Sequence, residues 1–387
     1  MGTFGISENG RYFVDDAGRP AFWLGDTQWQ LFRDFTVEDA TAILEKRKAQ
    51  GFSAVQVMIT GEGDGTKPNV EGATPWVDND PARPNDAYFR NADAVIEAAG
   101  RLDIALVLGL YHKTQLQTFP IGPSREYARQ LAARWSNAPH IIWTAYPEAS
   151  HEYVPIMREI VAGLKEGEDR PHLITIHCDP SPASSSFLLG EDWLDFHMIQ
   201  TWHDLPFNVP MVRADYALEP AMPVVMAEGG YETAPHTGAP WSPLNCRKQA
   251  YWSYLSGGHH SYGHHGNWTS PGTWRDWIDS PGAAQMGVCR QVLESLPEWW
   301  NLVPDQDLFV HGEGEGEEQS MAARSSSGDW AIVYLARPGR VVLDSSIAWL
   351  PAELIDPRTG ERTATKPHGQ SVKTPDGWED AVFVFRR

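Results

Sequence analysis

The sequence predicts an α/β protein: a (β/α)8 barrel followed by a small antiparallel β-sandwich. Short, nearly continuous apolar segments alternate with amphipathic helical segments over roughly the first 300 residues, which is typical of a parallel sheet covered by helices. We count eight of these apolar segments, the number that closes a barrel. From about residue 306 the chain changes to short alternating runs separated by Gly, Pro, Asp and Ser. We therefore expect a barrel with an N-terminal β-hairpin over residues 1–304 and a sandwich over residues 305–387.

The predicted elements follow one another in a regular order. A hairpin turn at residues 15–18, "DDAG", leads into a first strand at residues 22–24. The first helix, in "TVEDATAILEKRKAQGF", has Thr36 as its N-cap and Gly51 as its stop. The later strands lie in "SAVQVMI", "IALVLGLYH", "HIIWTAYPE", "HLITIHC", "DFHMIQTWH", "PVVMAEGG" and "HHSYGHHG". Polar and aromatic residues cluster at the carboxyl ends of these strands, where barrel enzymes place their chemistry.

Composition narrows the classes of function. The chain of 387 residues has a net charge of −20 and a pI near 5.0, which disfavours nucleic acid because phosphate binding requires clustered Lys and Arg. Its 17 tryptophans exceed what a core usually requires, and exposed indole rings suit the C–H faces of sugars. No segment approaches the roughly 18 apolar residues of a membrane span. We therefore expect a carbohydrate partner, with neither nucleic acid nor membrane, and leave the oligomeric state open.

The cysteines and the N-terminus bear on the cellular compartment. Cys178, Cys246 and Cys289 are an odd number without metal-type spacing, which indicates reduced thiols. The first residues contain neither the basic region nor the apolar segment of a signal peptide. We expect a cytoplasmic protein as the chain stands, or a periplasmic or secreted one if a signal peptide has been removed.

Two strand ends carry glutamates. Glu148 ends the fourth strand in "HIIWTAYPEAS", and Glu228 ends the seventh in "PVVMAEGGYE". A carboxylate at such a position costs desolvation, so it is expected to be hydrogen-bonded or functional. Because the two strands face each other across the barrel mouth, the carboxyl groups are predicted to flank a glycosidic bond. A structural ion pair or a solvated loop is the alternative for each; Gly229 and Gly230 favour Glu228, since they allow a sharp turn and close substrate approach.

Five segments together resemble the apiosidase-like glycoside hydrolases, glycoside hydrolase family 140 and its relatives. These segments are "GRPAFWLGDTQWQLF", "FHMIQTWHD", "PVVMAEGGYE", "GGHHSYGHHGNW" and "LIDPRTG", and they span nearly the whole chain. The resemblance implies a (β/α)8 barrel, a C-terminal β-sandwich, a retaining mechanism, an acid/base on strand four and a nucleophile on strand seven. Glu228 matches the family nucleophile directly. Glu148 matches the acid/base by position only, because Tyr146, Pro147 and Glu148 stand where relatives usually have Gly-Gly-Asp.

Further residues are predicted to bind the sugar or to support the glutamates. They are Asp26, Trp29, His112, Tyr146, Gln200, His203, Tyr231, His260, Tyr262 and Trp268. Asp26 lies in the "GDTQW" that resembles the family motif, and its alternative role is N-capping. Tyr231 is predicted to hydrogen-bond Glu228 and adjust its pKa, or else to lie at the rim. The others end strands or wall the pocket, and for each of the polar ones a purely structural role is the alternative.

The segment His259 to His265 contains four histidines and raises the question of a metal. The i, i+4 spacing of His260 and His264 would serve zinc only on a helix, and the neighbouring glycines argue against one. A binuclear metal hydrolase would also require His-x-His at the end of strand one, where this chain has "GDT". We therefore expect no metal and no cofactor, and a loop in which His260 lines a sugar pocket.

The leading hypothesis is a retaining exo-glycosidase that acts on a plant or algal polysaccharide side chain. Glu228 is predicted as the nucleophile and Glu148 as the general acid/base. The second hypothesis is a catalytically silent carbohydrate-binding barrel, and the third is a metal-dependent hydrolase that uses the histidine segment. The C-terminal sandwich is expected to brace the barrel rather than bind glycan, because "DWAIVYLARPGRVVLD" shows no paired exposed aromatic residues.

Overall fold

The computed structural model describes residues 3–115, 121–145 and 148–387. A small antiparallel sheet near the N-terminus consists of β1 (Gly5–Ile6), β2 (Phe13–Val14) and β3 (Pro20–Ala21), and the predicted hairpin joins β2 to β3. The eight barrel strands are β4 (Leu24–Thr27), β5 (Ala54–Met58), β6 (Ala105–Gly109), β7 (Ile141–Thr144), β8 (Leu173–Thr175), β9 (His197–Trp202), β10 (Val224–Gly229) and β11 (His259–Tyr262). The predicted barrel architecture is confirmed.

The barrel strands are parallel and almost complete the ring. They pair in the order β8, β7, β6, β5, β4, β11, β10, β9. Three hydrogen bonds bridge the remaining seam beside β8 and β9. The Asp195 amide donates to the Ile174 carbonyl at 2.9 Å, the Ile174 amide donates to Asp195 Oδ2 at 2.7 Å, and the Thr175 hydroxyl donates to the Phe196 carbonyl at 2.8 Å. The carboxyl ends of all eight strands therefore meet at one end of the molecule.

Apolar side chains fill the barrel below that end. The interior cluster includes Ala54, Ala105, Val107, Ile142, Met198, Val225 and Ala227, all buried. The rings of Phe13 and Trp23 stack at 4.9 Å, and Phe13 also contacts His259 at 5.0 Å. The N-terminal sheet and the interior side chains fill the barrel below its carboxyl end, which is the end where barrel enzymes bind their ligands.

Helices cover the outside of the barrel. They are α1 (Val37–Ala49), α2 (Asp86–Arg101), α3 (Ile121–Trp135), α4 (Val154–Gly167), α5 (Ser185–Leu188), α6 (Leu205–Tyr216), α7 (Pro243–Leu255), α8 (Gly266–Thr269), α9 (Trp274–Trp277) and α10 (Pro281–Glu294). The predicted cap of α1 is present, since the Asp39 amide donates to Thr36 Oγ1 at 3.1 Å. Ile43 and Leu44 then lie on the buried face of this helix. None of the helices in the described part of the chain has the length and apolarity needed to cross a bilayer.

The C-terminal region forms two antiparallel sheets. One contains β12 (Leu302–Pro304), β14 (Met321–Ser325), β15 (Trp330–Leu335), β17 (Ala352–Ile355), β18 (Arg362–Thr365) and β20 (Ala381–Arg386). The other contains β13 (Phe309–His311), β16 (Arg340–Leu343) and β19 (Ser371–Lys373), and a short helix, α11 (Ser345–Ala348), follows β16. We expected residues 302–304 to end the barrel, whereas β12 pairs with β14 in the C-terminal sheet. The boundary therefore lies nearer to residue 301.

The larger C-terminal sheet packs against α7 of the barrel. Tyr251 and Tyr334 stack with ring centroids 4.5 Å apart. Beside them, Arg247 binds Asp380 through two hydrogen bonds, Nε to Oδ2 at 2.8 Å and Nη2 to Oδ1 at 2.9 Å. Both side chains are almost fully buried, at 1% and 0% exposure. Because the Tyr334 hydroxyl also donates to Asp380, one polar network joins α7 to the C-terminal sheet.

Asp380→Asn is expected to lower the free energy of unfolding by about 3 kcal/mol, because it leaves the Arg247 guanidinium buried without its counter-charge. The measurement is urea unfolding of the full chain. Asp376→Asn is the matched control, since Asp376 pairs with Lys373 at the exposed surface, where a change within about 0.5 kcal/mol is expected. Equal stability of the two variants would show that the buried pair does not join the domains.

Candidate active site

A cavity of about 460 Å³ lies at the carboxyl end of the barrel. Its polar lining comprises three carboxyl groups, of Glu62, Glu148 and Glu228, and four imidazoles, of His112, His177, His203 and His265. The aromatic side chains of Trp29, Trp202 and Tyr231 complete much of the wall. The two glutamates predicted from strands four and seven therefore open into the same cavity.

Glu228 lies on β10 and is 5% exposed. The Tyr231 hydroxyl donates to its Oε1 at 2.6 Å, and His177 Nε2 lies 3.1 Å from its Oε2. Trp29 in turn donates its indole N–H to the Tyr231 oxygen at 2.6 Å. Burial and the charge of Glu228 raise the pKa of Tyr231 well above its ordinary value, so this phenol remains a neutral donor.

A bulge in β10 turns Glu228 toward the cavity. Val225 and Ala227 belong to the interior cluster, so strict alternation would direct Glu228 outward toward the helices. The register shifts between Met226, which pairs with Ile199, and Glu228, which pairs with Gln200. A bulge of this kind re-aims the side chain that follows it.

The two glycines after Glu228 are required for packing rather than for a special backbone angle. A Cβ at Gly229 would lie 2.6 Å from the Gln249 side chain, and one at Gly230 would lie 2.3 Å from Trp241. Neither glycine has a positive φ. We expected them to allow a sharp turn, whereas they allow α7 and Trp241 to approach the strand end closely.

Glu148 follows β7 in a left-handed backbone conformation, with φ 51°. The next residue ties the segment to the neighbouring strand, because the Ala149 amide donates to the His177 carbonyl at 3.1 Å. The Glu148 carboxyl is held from both sides: Oε2 lies 2.7 Å from His112 Nε2, and Gln200 Nε2 donates to Oε1 at 3.4 Å. A non-glycine residue in this region of φ is strained, and such strain is concentrated at functional sites.

The contacts of His112 indicate which of its nitrogens carries a proton. The Thr114 amide donates to Nδ1 at 3.2 Å, so Nδ1 acts as an acceptor and Nε2 is the nitrogen that donates to Glu148. Burial raises the pKa of Glu148, but the hydrogen bonds that His112 and Gln200 donate to it, with the nearby imidazole of His177, outweigh burial and hold the pKa at about 2. In the free protein Glu148 is therefore a carboxylate.

The structure brings five of the predicted supporting residues to the glutamates. Trp29, His112, His203 and Tyr231 line the cavity, and Gln200 contacts Glu148. Tyr146 lies outside the described residues, and Trp268 is described only in its backbone.

Three predicted sugar ligands face away from the cavity, toward the helices. Asp26 is fully buried and accepts a hydrogen bond from Arg47 of α1 at 2.7 Å. His260 lies 3.4 Å from Ser253 of α7, and the Tyr262 hydroxyl donates to Glu232 at 2.5 Å. We expected these three residues to line the sugar cavity, and the structure corrects that prediction. Successive side chains of a strand point to opposite faces, and these three occupy the outer face of β4 and β11.

The four histidines of the segment His259 to His265 diverge. His259 contacts Phe13 inside the barrel, His260 faces α7, and His264 stacks on Trp277 at 5.6 Å. Only His265 lines the cavity. Within residues 3–115, 121–145 and 148–387, no three His, Cys, Asp or Glu side chains are grouped to hold a metal ion.

Sequence reasoning missed four polar or aromatic residues of the cavity: Glu62, His177, Trp202 and His265. The alternation of side chains along β8 and the residues after it could have indicated His177. Ile174 and Ile176 pack among the helices, so the odd-numbered residues between and beyond them face the barrel interior. Its neighbour Cys178 is a buried free cysteine whose Sγ donates to the Met198 carbonyl at 3.3 Å. Glu62 lies in a connection beyond β5, where no periodic pattern was available to indicate it.

An eight-stranded barrel with two glutamates of separate strands in one cavity is typical of one class of protein, the glycoside hydrolases. The sequence profile of the apiosidase-like catalytic domain matches residues 7–301. The chain therefore belongs to the apiosidase-like family. No curated protein matches the chain.

Solved structures of similar fold include glycoside hydrolases. One described as a glycoside hydrolase superposes with a TM-score of 0.90 at 22% identity, over 99% of this chain and 96% of its own. A glycoside hydrolase family 5 protein from Bacteroides vulgatus ATCC 8482 gives a TM-score of 0.90 at 23% identity, over 100% and 93%. An endo-1,4-beta-mannanase from Rhizomucor miehei gives 0.54 at 14% identity, over 67% and 89%. At these identities the likeness shows the fold, and for the first two it includes the C-terminal domain.

Proposed function

We propose that this protein is a retaining exo-glycosidase in which Glu228 is the nucleophile and Glu148 the general acid/base. The observation that carries the proposal is that both glutamates line one cavity and have different hydrogen-bond partners. Tyr231 and His177 contact Glu228, whereas His112 and Gln200 contact Glu148. Membership of the apiosidase-like family supports a side chain of a plant or algal polysaccharide as substrate and release of a terminal sugar. The reaction requires no metal or cofactor in this scheme.

The surroundings of Glu228 suit a nucleophile. A neutral phenol donates to Oε1, and His177 lies close to Oε2, so the ionised carboxylate is oriented while the anomeric carbon approaches. In the first step a Glu228 oxygen bonds to the anomeric carbon, the glycosidic C–O bond breaks, and the leaving oxygen takes a proton from Glu148. In the second step Glu148 takes a proton from water, which attacks the anomeric carbon and releases Glu228.

Glu148 must alternate between two protonation states in this scheme. The free protein holds it as a carboxylate, which is the form that activates water. The acid form requires a higher pKa, and a bound sugar that displaces water acts in that direction, because burial already raises the pKa of this group. His112 opposes the rise through its hydrogen bond from Nε2.

His112→Ala is expected to move the alkaline limb of the kcat profile, which reports the sugar-bound protein, to higher pH. His112 lowers the pKa of Glu148, so without it the pKa rises and the acid form persists to higher pH. The measurement is kcat of an aryl glycoside at saturating concentration from about pH 4 to about pH 9. His311→Ala, at an exposed histidine of β13, is the control with an unchanged profile. A limb that stays in place or moves to lower pH would contradict this coupling.

A screen of aryl glycosides tests the proposal as a whole. It includes pyranosides and furanosides of both anomers, with NMR of the first-formed product to read its stereochemistry. We expect hydrolysis of at least one member with retention, and full activity in EDTA. Binding of a glycoside by calorimetry without release of product would favour a catalytically silent sugar-binding barrel. Activity abolished by EDTA and restored by a divalent metal would favour the metal-dependent alternative.

A further inference from the structure

Glu62 is a third carboxyl group in the cavity, and its backbone is held firmly. It follows Gly61, whose φ is 70° and whose position leaves no room for a side chain against Gln30 and Arg33. The Glu62 amide donates to Gln30 Oε1 at 3.0 Å, and its carbonyl accepts from Arg33 Nη1 at 2.9 Å. Because both backbone groups are anchored, the backbone holds the Glu62 side chain in place in the cavity wall.

The Glu62 carboxyl has no protein partner in the described part of the chain. The guanidinium of Arg33 is already engaged with Gln30, Asp34 and two backbone carbonyls. Burial raises the pKa of Glu62, and the charges of Glu228 and Glu148 add to this effect while His112 opposes it. An acidic group that is partly buried without a donor loses hydration and gains nothing in return, unless a ligand supplies the missing hydrogen bonds.

Carboxyl groups dominate the charge of the cavity lining. Its described lining has three glutamates and neither Lys nor Arg. Lys113 lies nearby, but its ammonium group pairs with Asp179 and is 3.8 Å from Glu148, so it is occupied by acidic groups of the protein. Apart from its imidazoles, the lining that the structure describes offers a carboxylate or sulfate on a sugar no Lys or Arg to compensate the carboxyl groups, and such a contact is repulsive.

We propose that Glu62 is a specificity-determining residue that hydrogen-bonds hydroxyl groups of an uncharged glycone and excludes uronic acids and sulfated sugars. The inference deepens the proposed function, since it names the class of sugar that the same cavity accepts. The proposed binding of sugar hydroxyl groups by Glu62 can be measured whether or not the protein hydrolyses the sugar. A carboxylate accepts hydroxyl protons without donating any, which suits a polyol and rejects an anion.

The test measures binding and turnover separately at neutral pH. Its probes are 4-nitrophenyl pyranosides and furanosides, together with 4-nitrophenyl glucuronide and galacturonide beside the matching glucoside and galactoside. Ligand-observed NMR gives affinity, and release of 4-nitrophenol gives kcat and KM. We expect the wild type to bind neutral glycosides and to bind each uronide at least about tenfold more weakly, a difference of about 1.4 kcal/mol.

Glu62→Gln is expected to weaken neutral-glycoside binding by about tenfold, to raise KM more than it lowers kcat, and to reduce the discrimination against uronides. Glu71→Gln, at an exposed glutamate of the same connection, is the matched control, and thermal melting verifies that both variants are folded. Uronides that bind the wild type as tightly as the neutral partners, or unchanged neutral affinity in Glu62→Gln, would overturn the inference. Neutral glycosides that bind without any release of 4-nitrophenol would instead defeat the glycosidase proposal and leave the role of Glu62 standing.

Discussion

Glu228→Gln is expected to lower kcat/KM on the best aryl glycoside by about 10⁵-fold, the size of effect seen when a catalytic nucleophile is removed. The amide keeps the shape of the side chain and the contact with Tyr231, but it cannot form the covalent bond to the anomeric carbon. Because the charge of a buried group is removed without a change in volume, the fold is expected to remain intact. The measurement is steady-state hydrolysis together with glycoside binding by calorimetry.

Glu45→Gln is the matched control for this variant, because Glu45 lies exposed on α1 away from the cavity. It is expected to retain wild-type kcat/KM. In the companion variant Glu228→Gly, azide is expected to enter the vacated space and form a glycosyl azide of inverted configuration. If Glu228→Gln keeps more than about a tenth of wild-type kcat, Glu228 is not the nucleophile.

Glu148→Gln is expected to lower kcat/KM on a methyl glycoside by about 10³-fold, the range for loss of a general acid. The effect should shrink strongly on a 2,4-dinitrophenyl glycoside, because that leaving group departs without a proton. Hydrolysis of the glycosyl intermediate then becomes slow, since no carboxylate activates the water. The measurement compares both substrates by steady-state and single-turnover kinetics.

Azide distinguishes this role from that of Glu228. With Glu148→Gly and the dinitrophenyl substrate, azide is expected to attack the glycosyl intermediate and yield a glycosyl azide of retained configuration. Glu152→Gln serves as the control, because Glu152 is exposed only a few residues farther along the same segment. A loss of equal size on both substrates would contradict the assignment of Glu148 as acid/base.

Much of the fold could be predicted from the sequence because it depends on local patterns. Apolar runs of strand length, separated by capped helices such as the one that begins after Thr36, specify a parallel sheet with a helical cover. The prediction failed at residues 302–304, where the polypeptide already belongs to the C-terminal sheet. A short apolar segment looks the same whether its partner strand is in one domain or the next, so the sequence pattern alone could not locate the boundary.

The candidate site was predicted less completely, because a strand end indicates a position but not a direction. Asp26, His260 and Tyr262 end strands as expected, yet they point outward, and alternation from their neighbours would have shown it. Glu62 could not be found in this way, since its direction depends on anchors from Gln30 and Arg33.

The sequence by itself determined that eight strands alternate with helices and that acidic residues end the fourth and seventh of them. Those properties arise from hydrophobic periodicity, which is local to each segment. Only the tertiary structure decided that Glu228 faces the cavity, because the bulge at the end of β10 reverses the direction that alternation would give. It also decided that Glu148 meets His112 and that Glu62 joins them, since these encounters depend on how separate strands are brought together in the ring.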